Sequence, residues 1–218
     1  MTGRLQVFLA SRNGGKIAEM QRILAEHLPG IEVLGLDDVE AYDEPVEDAP
    51  TFEGNALIKA RIGAEVTGLP TIADDSGLCV DALNGMPGVL SARWSGPPKD
   101  DDRNNRLLLD QLHDVPDERR TAQFRCAVAF CEPDAEPIVV HGEMPGRVIR
   151  ECRGDGGFGY DVLFVPDAYS VPDASSVPDA HRAEGRTSAE LTKPEKDAIS
   201  HRGHALREIA PLIAARLA

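Results

Sequence analysis

Three short groups of residues combine side-chain types that could handle a phosphate ligand. The segment Ser11-Arg12-Asn13-Gly14-Gly15-Lys16 has glycines and small residues that let backbone N–H groups approach phosphate oxygens, and Lys16 adds a full positive charge. The acidic pair Asp74-Asp75 could hold Mg²⁺ and orient or deprotonate a water molecule. Lys196, together with Ser200-His201-Arg202-Gly203, supplies basic residues that could bind phosphate or the edge of a base.

Each group also has a purely structural interpretation. The glycine-containing segment could be an ordinary turn between a strand and a helix, since such short patterns are common. Asp74-Asp75 could form an Asx turn before Gly77. His201 could be a solvated helix residue; a metal site with His204 lacks further ligands nearby. The run Asp100-Asp101-Asp102 is better explained by the positive end of a helix dipole than by chemistry.

The elements that would position the first two groups alternate between strand and helix. Residues 5–10 predict a strand, and the apolar positions from Ile17 to Leu24 predict the helix that follows the turn. Thr51 fits the N-cap of a second helix, from Phe52 to about Val66. Residues 69–73 predict a short buried strand that ends at Asp74, and ends of α/β strands are where ligands bind.

The second half of the chain adds one helix, three strands and a terminal helical region. Phe124, Cys126, Val128 and Phe130 alternate with smaller or polar residues, as in a strand. Helices mixed with both crossover and hairpin strands predict a mixed sheet in an α/β fold. The remaining predicted elements are a helix from about Asp102 to Leu112, strands Ile138–His141 and Tyr160–Val165, and a terminal helical region opened by the capping box Thr192-Lys193-Pro194-Glu195.

Composition limits the classes of partner. The chain has 218 residues, enough for a single domain, with 23 Lys and Arg against 37 Asp and Glu, a net charge of −14. Such a chain repels nucleic acids and anionic membranes, so neither is an expected partner. No signal or membrane-spanning segment is recognisable, and the four cysteines suit free thiols in a reducing cytoplasm.

Several common motifs are excluded by their context. Gly15-Lys16-Ile17 lacks the Ser or Thr that follows the lysine of a phosphate-binding P-loop. Gly154–Gly159 matches G-x-G-x-x-G, but a strand is predicted after it, where the dinucleotide fingerprint requires a helix. No G-x-S-x-G is present, so a nucleophile elbow is unsupported.

One stretch is a repeat with a period of six residues. Val165-Pro166-Asp167-Ala168 recurs at residues 171–174 and 177–180. A β-helix would need more copies and no proline in each. We therefore expect an irregular, solvated loop at about residues 167–184, tolerated at the surface; the alternative is a lid over the ligand.

Four blocks, in order along nearly the whole chain, carry a resemblance to a known family. They are Leu9–Lys16, Thr51–Ala60, Ala73–Leu78 running on to Pro87–Arg93, and Gly156–Asp161 with Ser200–Gly203. Together they resemble the inosine triphosphate pyrophosphatase (Ham1-like) family, enzymes that hydrolyse non-standard purine nucleoside triphosphates. The repeat is a departure from the family pattern, in which a short loop is expected at that place.

The resemblance implies a fold, partners and roles. It implies one domain over residues 1–218, with an elongated α/β fold of two lobes around a central cleft, and a homodimer. Asp75 would be the general base and, with Glu47, would bind Mg²⁺. The triphosphate would be held by Ser11, Arg12, Asn13, Gly14, Gly15, Lys16 and Lys59. The rest of the nucleotide would be bound by Ser76, Phe158, Gly159, Tyr160, Asp161, Lys196, His201 and Arg202.

The expected reaction is the attack of water on the α-phosphorus, which gives a nucleoside monophosphate and pyrophosphate. Mg²⁺ and lysines would neutralise the leaving pyrophosphate. Phe158 or Tyr160 could stack on the base, and His201, Arg202 or backbone N–H groups could donate to O6 of a 6-keto purine. Two other classes stay open: a non-catalytic nucleotide sensor, and a phosphatase that removes only the γ-phosphate.

Overall fold

The structure is a computed structural model that describes residues 5–169 and 185–217. Its strands are β1 Gln6–Leu9, β2 Glu32–Leu34, β3 Thr71–Val80, β4 Thr121–Cys131, β5 Ile138–Val148 and β6 Phe164–Pro166. Its α-helices are α1 Gly14–His27, α2 Phe52–Thr67, α3 Asp101–Gln111, α4 Lys193–Ile199 and α5 His201–Leu217.

The six strands form one mixed sheet in the order β2-β1-β3-β4-β5-β6. Strand β1 is parallel to both β2 and β3, pairing Phe8 with Leu34 and with Thr71, so α1 and α2 belong to crossover connections. Strand β6 is antiparallel to β5, with Val148 opposite Phe164. The predicted α/β fold with a mixed sheet and flanking helices is confirmed.

The chain divides into two compact units, each with its own apolar core. The first unit contains the chain up to Asp75, Cys126–Gly142 and the chain from Arg202 onward. The second unit contains Ser76–Arg125 and Glu143–His201.

In the first unit, both faces of the sheet are covered. On β4, Cys126, Val128 and Phe130 pack into a cluster with apolar residues of α1 and α5. The alternate residues Ala127, Ala129 and Cys131 pack into a second cluster with alanines of α2. Successive strand residues point to opposite faces, so each strand residue is committed to one helix layer or the other.

In the second unit, α3 packs on the parts of β3, β4 and β5 that belong to this unit. Leu108 in α3 and Leu112 just after it are fully buried, and they pack into a cluster with Leu78, Phe124 and apolar residues of β5 and β6. Arg120 is buried as well, and its guanidinium donates to the carbonyls of Leu112, Val148 and Ile149 at 2.7–2.9 Å. These bonds satisfy a buried charge that would otherwise be costly.

The predicted strand over residues 69–73 is wrong in its C-terminal limit, because β3 runs from Thr71 to Val80. Asp74-Asp75 therefore lie inside a strand, and the Asx-turn interpretation is wrong. Gly77, inside this strand, packs against the 3₁₀ helix Gly88–Arg93: a Cβ at residue 77 would lie 2.3 Å from Ser91 Oγ. The Ser91 hydroxyl also accepts from the Leu78 N–H at 2.9 Å, and Leu78 is buried.

The predicted strand Tyr160–Val165 is also wrong before Phe164. A 3₁₀ helix occupies Gly159–Val162, and only Phe164–Pro166 is strand. The Asp161 carboxylate accepts from the Phe158 N–H at 2.9 Å, which closes the turn locally, and Gly159 has φ +61°. Side-chain capping of this kind competes with the ladder of a sheet.

Local capping predictions are confirmed. Thr51 caps α2 by accepting from the Gly54 N–H at 3.0 Å, and Asp100 caps α3 by accepting from the Arg103 N–H at 3.0 Å. At the start of α4, the Glu195 carboxylate accepts from the Thr192 N–H at 2.7 Å. The four cysteines, Cys79, Cys126, Cys131 and Cys152, are free thiols as predicted.

The first copy of the repeat begins in the sheet, since Val165 and Pro166 belong to β6 and are buried. Asp167–Tyr169 form a short 3₁₀ helix. The loop predicted at 167–184 otherwise lies outside the described residues, over 170–184. Among the described helices, none has the length and hydropathy needed to cross a membrane.

Candidate active site

The segment Ser11–Lys16 connects β1 to α1, as predicted, but α1 starts inside it, at Gly14. Asn13 is the N-cap, and its side-chain oxygen accepts from the N–H groups of Gly15 at 2.9 Å and Lys16 at 3.2 Å. The glycines and Lys16 are therefore the first turn of a helix, whose positive end favours an anion.

Arg12 points into an acidic neighbourhood of the first unit. Its guanidinium is paired with Glu44 and lies 3.6 Å from Asp37. The hydrogen bond and charge of Glu44 raise the pKa of Arg12. The side chain is 58% exposed, so these are surface contacts that an anionic ligand could replace.

Strand β3 sends its two aspartates to opposite helix layers. Ile72 belongs to the cluster of α1 and α5, and Ala73 belongs to the cluster of α2. Two residues further on, Asp74 and Asp75 continue the same alternation. The two adjacent carboxylates therefore meet different partners.

Asp74 faces α1 and α5. Lys16 Nζ donates to both of its carboxylate oxygens, at 2.9 and 2.8 Å, and Arg202 Nε donates to one of them at 3.3 Å. Burial by itself raises the pKa of Asp74, but the two cations outweigh it and hold this pKa well below its usual range. A carboxylate whose pKa is lowered in this way is a weaker base than an ordinary aspartate.

Asp75 faces α2. It accepts from Asn55 Nδ2 at 3.0 Å, and its other oxygen lies 3.6 Å from Lys59 Nζ. Burial raises the pKa of Asp75 above its ordinary value, against the opposing effects of Lys59 and the Asn55 hydrogen bond. Of the two aspartates, Asp75 is therefore the stronger base and the better candidate for accepting a proton from water.

Glu47 comes to the same side of the sheet from the irregular segment before α2. Its carboxylate lies 3.3 Å from Lys59 Nζ, so one ammonium contacts both Glu47 and Asp75. Glu47 and Lys59 also line a small cavity of about 20 Å³, enough for roughly one water molecule. A larger cavity of about 390 Å³, beside the β4–β5 connection, is lined by none of the predicted site residues.

The pair Glu47 and Asp75 is suited to Mg²⁺. Within residues 5–169 and 185–217, no group of three or more Asp, Glu, His or Cys side chains is arranged to hold a metal ion. Mg²⁺, however, is commonly bound by one or two carboxylates together with waters and substrate phosphates. Two carboxylates that already share one cation, Lys59, have the charge and the oxygen donors that such a site requires.

In the second unit, a different group surrounds the 3₁₀ helix Gly159–Val162. Phe158 is 65% exposed, and Lys196 Nζ lies 5.5 Å from the centre of its ring. The Lys196 ammonium also pairs with the buried Asp161. The Gly159 N–H donates to Asp101 at 2.9 Å, which fixes this turn on α3.

Tyr160 and His201 are held inside the second unit. The Tyr160 ring is 4% exposed and its hydroxyl donates to the Ser91 carbonyl at 3.0 Å, so Phe158 is the ring left for stacking on a base. The His201 imidazole stacks on Phe124, with centroids 5.2 Å apart and planes 11° apart. His201 is therefore an oriented ring rather than a solvated helix residue.

Within the first unit, Asp74 contacts both Lys16 and Arg202. In the same unit, Lys59 contacts both Glu47 and Asp75. Within the second unit, it brings together Phe158, Asp161 and Lys196. Ser76 follows Asp75 in β3, where its side chain is half-buried.

Two positioning residues were missed at the sequence level. Asn55, 1% exposed, donates to Asp75 and accepts from the Ala49 N–H at 3.0 Å, which ties the Glu47 segment to α2. A buried Asn in an otherwise apolar helix face was the available signal, since Asn is a poor helix former. Phe124 was assigned only to a strand, and no local pattern indicates its stacking on His201.

Comparison with known proteins gives one consistent result. A family model described as the Ham1 family matches residues 7–212. The chain is 56% identical over 211 residues to the dITP/XTP pyrophosphatase of Nocardia farcinica, covering 96% of this chain and 95% of that protein. The crystal structure of a nucleoside-triphosphatase / dITP/XTP pyrophosphatase from Mycobacterium abscessus is 50% identical, with a TM-score of 0.75, and covers 94% of this chain and 99% of that one. A HAM1 protein from Coxiella burnetii is 40% identical, with a TM-score of 0.81, and covers 97% and 99%.

Proposed function

The chain belongs to the Ham1 family, and from this we propose that it hydrolyses the non-standard purine nucleoside triphosphates ITP, dITP and XTP to the nucleoside monophosphate and pyrophosphate. Relatives that are 50–56% identical carry the name dITP/XTP pyrophosphatase. Removal of such nucleotides would keep the nucleotide pool free of them.

The observation that carries the proposal is the pair of adjacent carboxylates with separate cations. Asp75 has a raised pKa and lies beside Lys59, whereas Asp74 is bound by Lys16 and Arg202. Hydrolysis of a phosphoric anhydride needs a base for the water and positive charge for the leaving group, and this arrangement supplies both.

Asp75 takes the proton from a water whose oxygen forms a bond to the α-phosphorus. The bond between that phosphorus and the oxygen bridging to the β-phosphate breaks, and pyrophosphate leaves with the electron pair. Lys16 and Lys59, with the N–H groups of the first turn of α1, stabilise the charge that develops on pyrophosphate. Ser11, Arg12, Asn13, Gly14 and Gly15 complete the phosphate-binding set.

Glu47 and Asp75 would hold Mg²⁺. When bound, this cation supplies positive charge to the phosphates and lowers the pKa of water. Asn55 keeps Asp75 and the segment bearing Glu47 in position, through its bonds to Asp75 and Ala49.

Residues of the second unit, together with Arg202 of the first unit, are proposed to bind the nucleoside. Phe158 offers an exposed ring for stacking on the purine. His201 and Arg202 donate to O6, which 6-keto purines have and adenine lacks. The proposed nucleotide-binding set also includes Ser76, Gly159, Tyr160, Asp161 and Lys196. Tyr160 would act indirectly, because its buried ring packs beneath the 3₁₀ helix Gly159–Val162.

A panel of triphosphates tests the proposal. ITP, dITP, XTP, ATP and GTP are incubated with Mg²⁺, and pyrophosphate, orthophosphate and monophosphate are measured separately. We expect pyrophosphate and monophosphate in equal amounts, fastest from ITP, dITP and XTP. Orthophosphate with a diphosphate product would instead identify a γ-phosphatase, and binding without turnover would identify a nucleotide sensor.

We further propose that the protein works as a homodimer in the cytoplasm, without nucleic acid or membrane partners. The support for the last part is the net charge of −14, which repels anionic polymers and surfaces. Light scattering on the purified protein tests the dimer, with a mass of twice 23.5 kDa as the expected result.

A further inference from the structure

We propose that Asp74 is a positioning residue for the hydrolysis: its carboxylate fixes Lys16 and Arg202 in the orientations in which they meet the nucleotide. This inference rests on the proposed function, because it gives Asp74 a role in that hydrolysis. Asp74 itself is not one of the reacting groups. Asp74 touches neither the water nor the phosphorus in this assignment.

Asp74, Lys16 and Arg202 form a three-residue charged contact, which we call the clamp. Both Asp74 oxygens accept from Lys16 Nζ, at 2.9 and 2.8 Å, and one also accepts from Arg202 Nε at 3.3 Å. The side chains of Asp74, Lys16 and Arg202 are only 7%, 22% and 18% exposed. Charges that are this far removed from water interact strongly and hold each other in place.

Counting donors shows what the clamp leaves for a ligand. A lysine ammonium has three N–H donors, and Asp74 engages it with both oxygens, so one donor direction remains for phosphate. The arginine is engaged through Nε, and its Nη groups take no part in this contact. The carboxylate thus selects which edge of each cation can meet a substrate.

The placement of the two cations explains why they need a counter-ion. Lys16 is the third residue of α1 and Arg202 is the second residue of α5. Both lie at positive helix ends, where a cation is disfavoured by the dipole. Without Asp74, each side chain would gain by turning away from its helix end and from the other cation.

Asp74 is not a second general base in this assignment. It lies on the face of β3 opposite to the layer that holds Asp75, Lys59 and Asn55. Both of its oxygens accept from Lys16 and one of them also accepts from Arg202, so the carboxylate is engaged by cations rather than directed at a water.

The alternative is that the clamp merely stabilises the fold. A buried ion pair is weak evidence for either role by itself, because breaking it leaves uncompensated charges that destabilise the protein. A positioning role differs in one measurable respect: it affects the alignment in the transition state more than the binding of phosphate.

Asp74→Asn, which keeps the shape and removes the charge, tests the proposal. We measure kcat and KM for ITP, the Kd of inorganic tripolyphosphate by calorimetry without added metal, and the thermal unfolding midpoint. We expect kcat to fall about 10- to 100-fold in folded protein, since misplaced groups lose alignment. Tripolyphosphate should bind no more weakly than to wild type, because a carboxylate that repels it is gone.

Asp74→Glu is the matched variant, with the charge kept and the carboxylate moved by one methylene. Its kcat should lie between those of wild type and Asp74→Asn, with tripolyphosphate binding retained. If Asp74→Asn does not fold, this variant decides: a loss of kcat without loss of binding supports the proposal, and a kcat within about twofold of wild type overturns it.

Two results with Asp74→Asn would overturn the proposal. One is a kcat within about threefold of wild type. The other is a fall in tripolyphosphate affinity that parallels kcat and the unfolding midpoint, which is the signature of a purely structural pair. If wild type hydrolyses ITP and Lys16→Ala does so far more slowly, either result leaves the proposed function intact; wild-type inactivity on every triphosphate would overturn both.

Discussion

The charged cluster of the first unit and the aromatic cluster of the second unit are built on different principles. In the first, Asp74 and Asp75 sit inside a strand and are surrounded by Lys16, Lys59 and Arg202. In the second, Phe158 is exposed on a tight turn, and His201 is stacked on Phe124. The first cluster concentrates charge, and the second presents oriented rings beside the ion pair of Lys196 and Asp161.

This difference suggests a division of work. Phosphates are the same in every nucleoside triphosphate, so residues that serve them should affect all substrates alike. Bases differ, so residues that serve the base should affect the ratio between substrates. Variants in the two clusters can therefore be compared by whether ITP and ATP respond equally.

The largest effect is expected for Asp75→Asn. Loss of a general base costs about 10²–10⁴-fold in rate, and loss of a metal ligand adds to it. ITP and ATP turnover should fall together, while nucleotide binding persists. More than about a tenth of the wild-type rate at saturating Mg²⁺ would exclude Asp75 as the base.

Lys16→Ala should follow, with kcat/KM reduced about 10²-fold for every triphosphate, because one preorganised charge on the phosphates is lost. Lys99, an exposed residue of the second unit with no assigned role, provides a control as Lys99→Ala. Steady-state kinetics on ITP and ATP measure the two losses. Unequal losses would contradict the assignment of the first cluster to phosphate.

For His201→Ala, kcat/KM should fall about tenfold more with ITP than with ATP. The reason is that removal of the imidazole leaves the keto oxygen of the bound base without its hydrogen-bond donor. Phe124→Leu should shift the same ratio in the same direction by less, because the imidazole is kept but its stacking partner is not. Equal losses on both substrates would remove His201 from base reading. The unfolding midpoint of Phe124→Leu separates core damage from the change in ratio.

A smaller effect concerns the start of α4, which carries Lys196. The Arg186 hydrogen bond, with those from Thr192, lowers the pKa of Glu195 from 4.5 to about 2. A lowered folded-state pKa stabilises the fold above the ordinary pKa, and this stabilisation is lost as pH falls through about 2. Glu195→Gln should therefore lower the unfolding midpoint at neutral pH, with the difference from wild type shrinking between about pH 4.5 and pH 2. A difference independent of pH would contradict this origin.

The smallest effect is expected for the repeat. Replacing residues 170–182 with four Gly and Ser residues keeps Tyr169, which lies under the Arg186 guanidinium at 4.9 Å. The entropic cost of closing a loop changes only slowly with its length, so the shorter loop should leave the fold intact. The rate of ITP hydrolysis should therefore stay within about threefold of wild type. A large fall in kcat with an unchanged unfolding midpoint would identify a lid.

The sequence by itself determined the local elements and their order. The helix starts at Thr51 and Asp100 depend on a side chain and a backbone N–H three residues away, so they can be predicted from short patterns. The alternation in β4 and the α/β order were predictable for the same reason. The blocks that resemble the Ham1-like family also supplied most of the residues that are proposed to form the site.

Only the tertiary structure decided which partner each site residue has. Asp74 and Asp75 are chemically identical neighbours in the sequence, yet burial and different cations shift their pKa values in opposite directions. Their partners come from α1, α2 and α5, and the two cations that contact Asp74, Lys16 and Arg202, lie 58 and 128 residues from it in the chain. Electrostatic interaction depends on distance and burial in space rather than on spacing in sequence, so the roles of counter-ion and base could be assigned only after the strand had placed each carboxylate in its own helix layer.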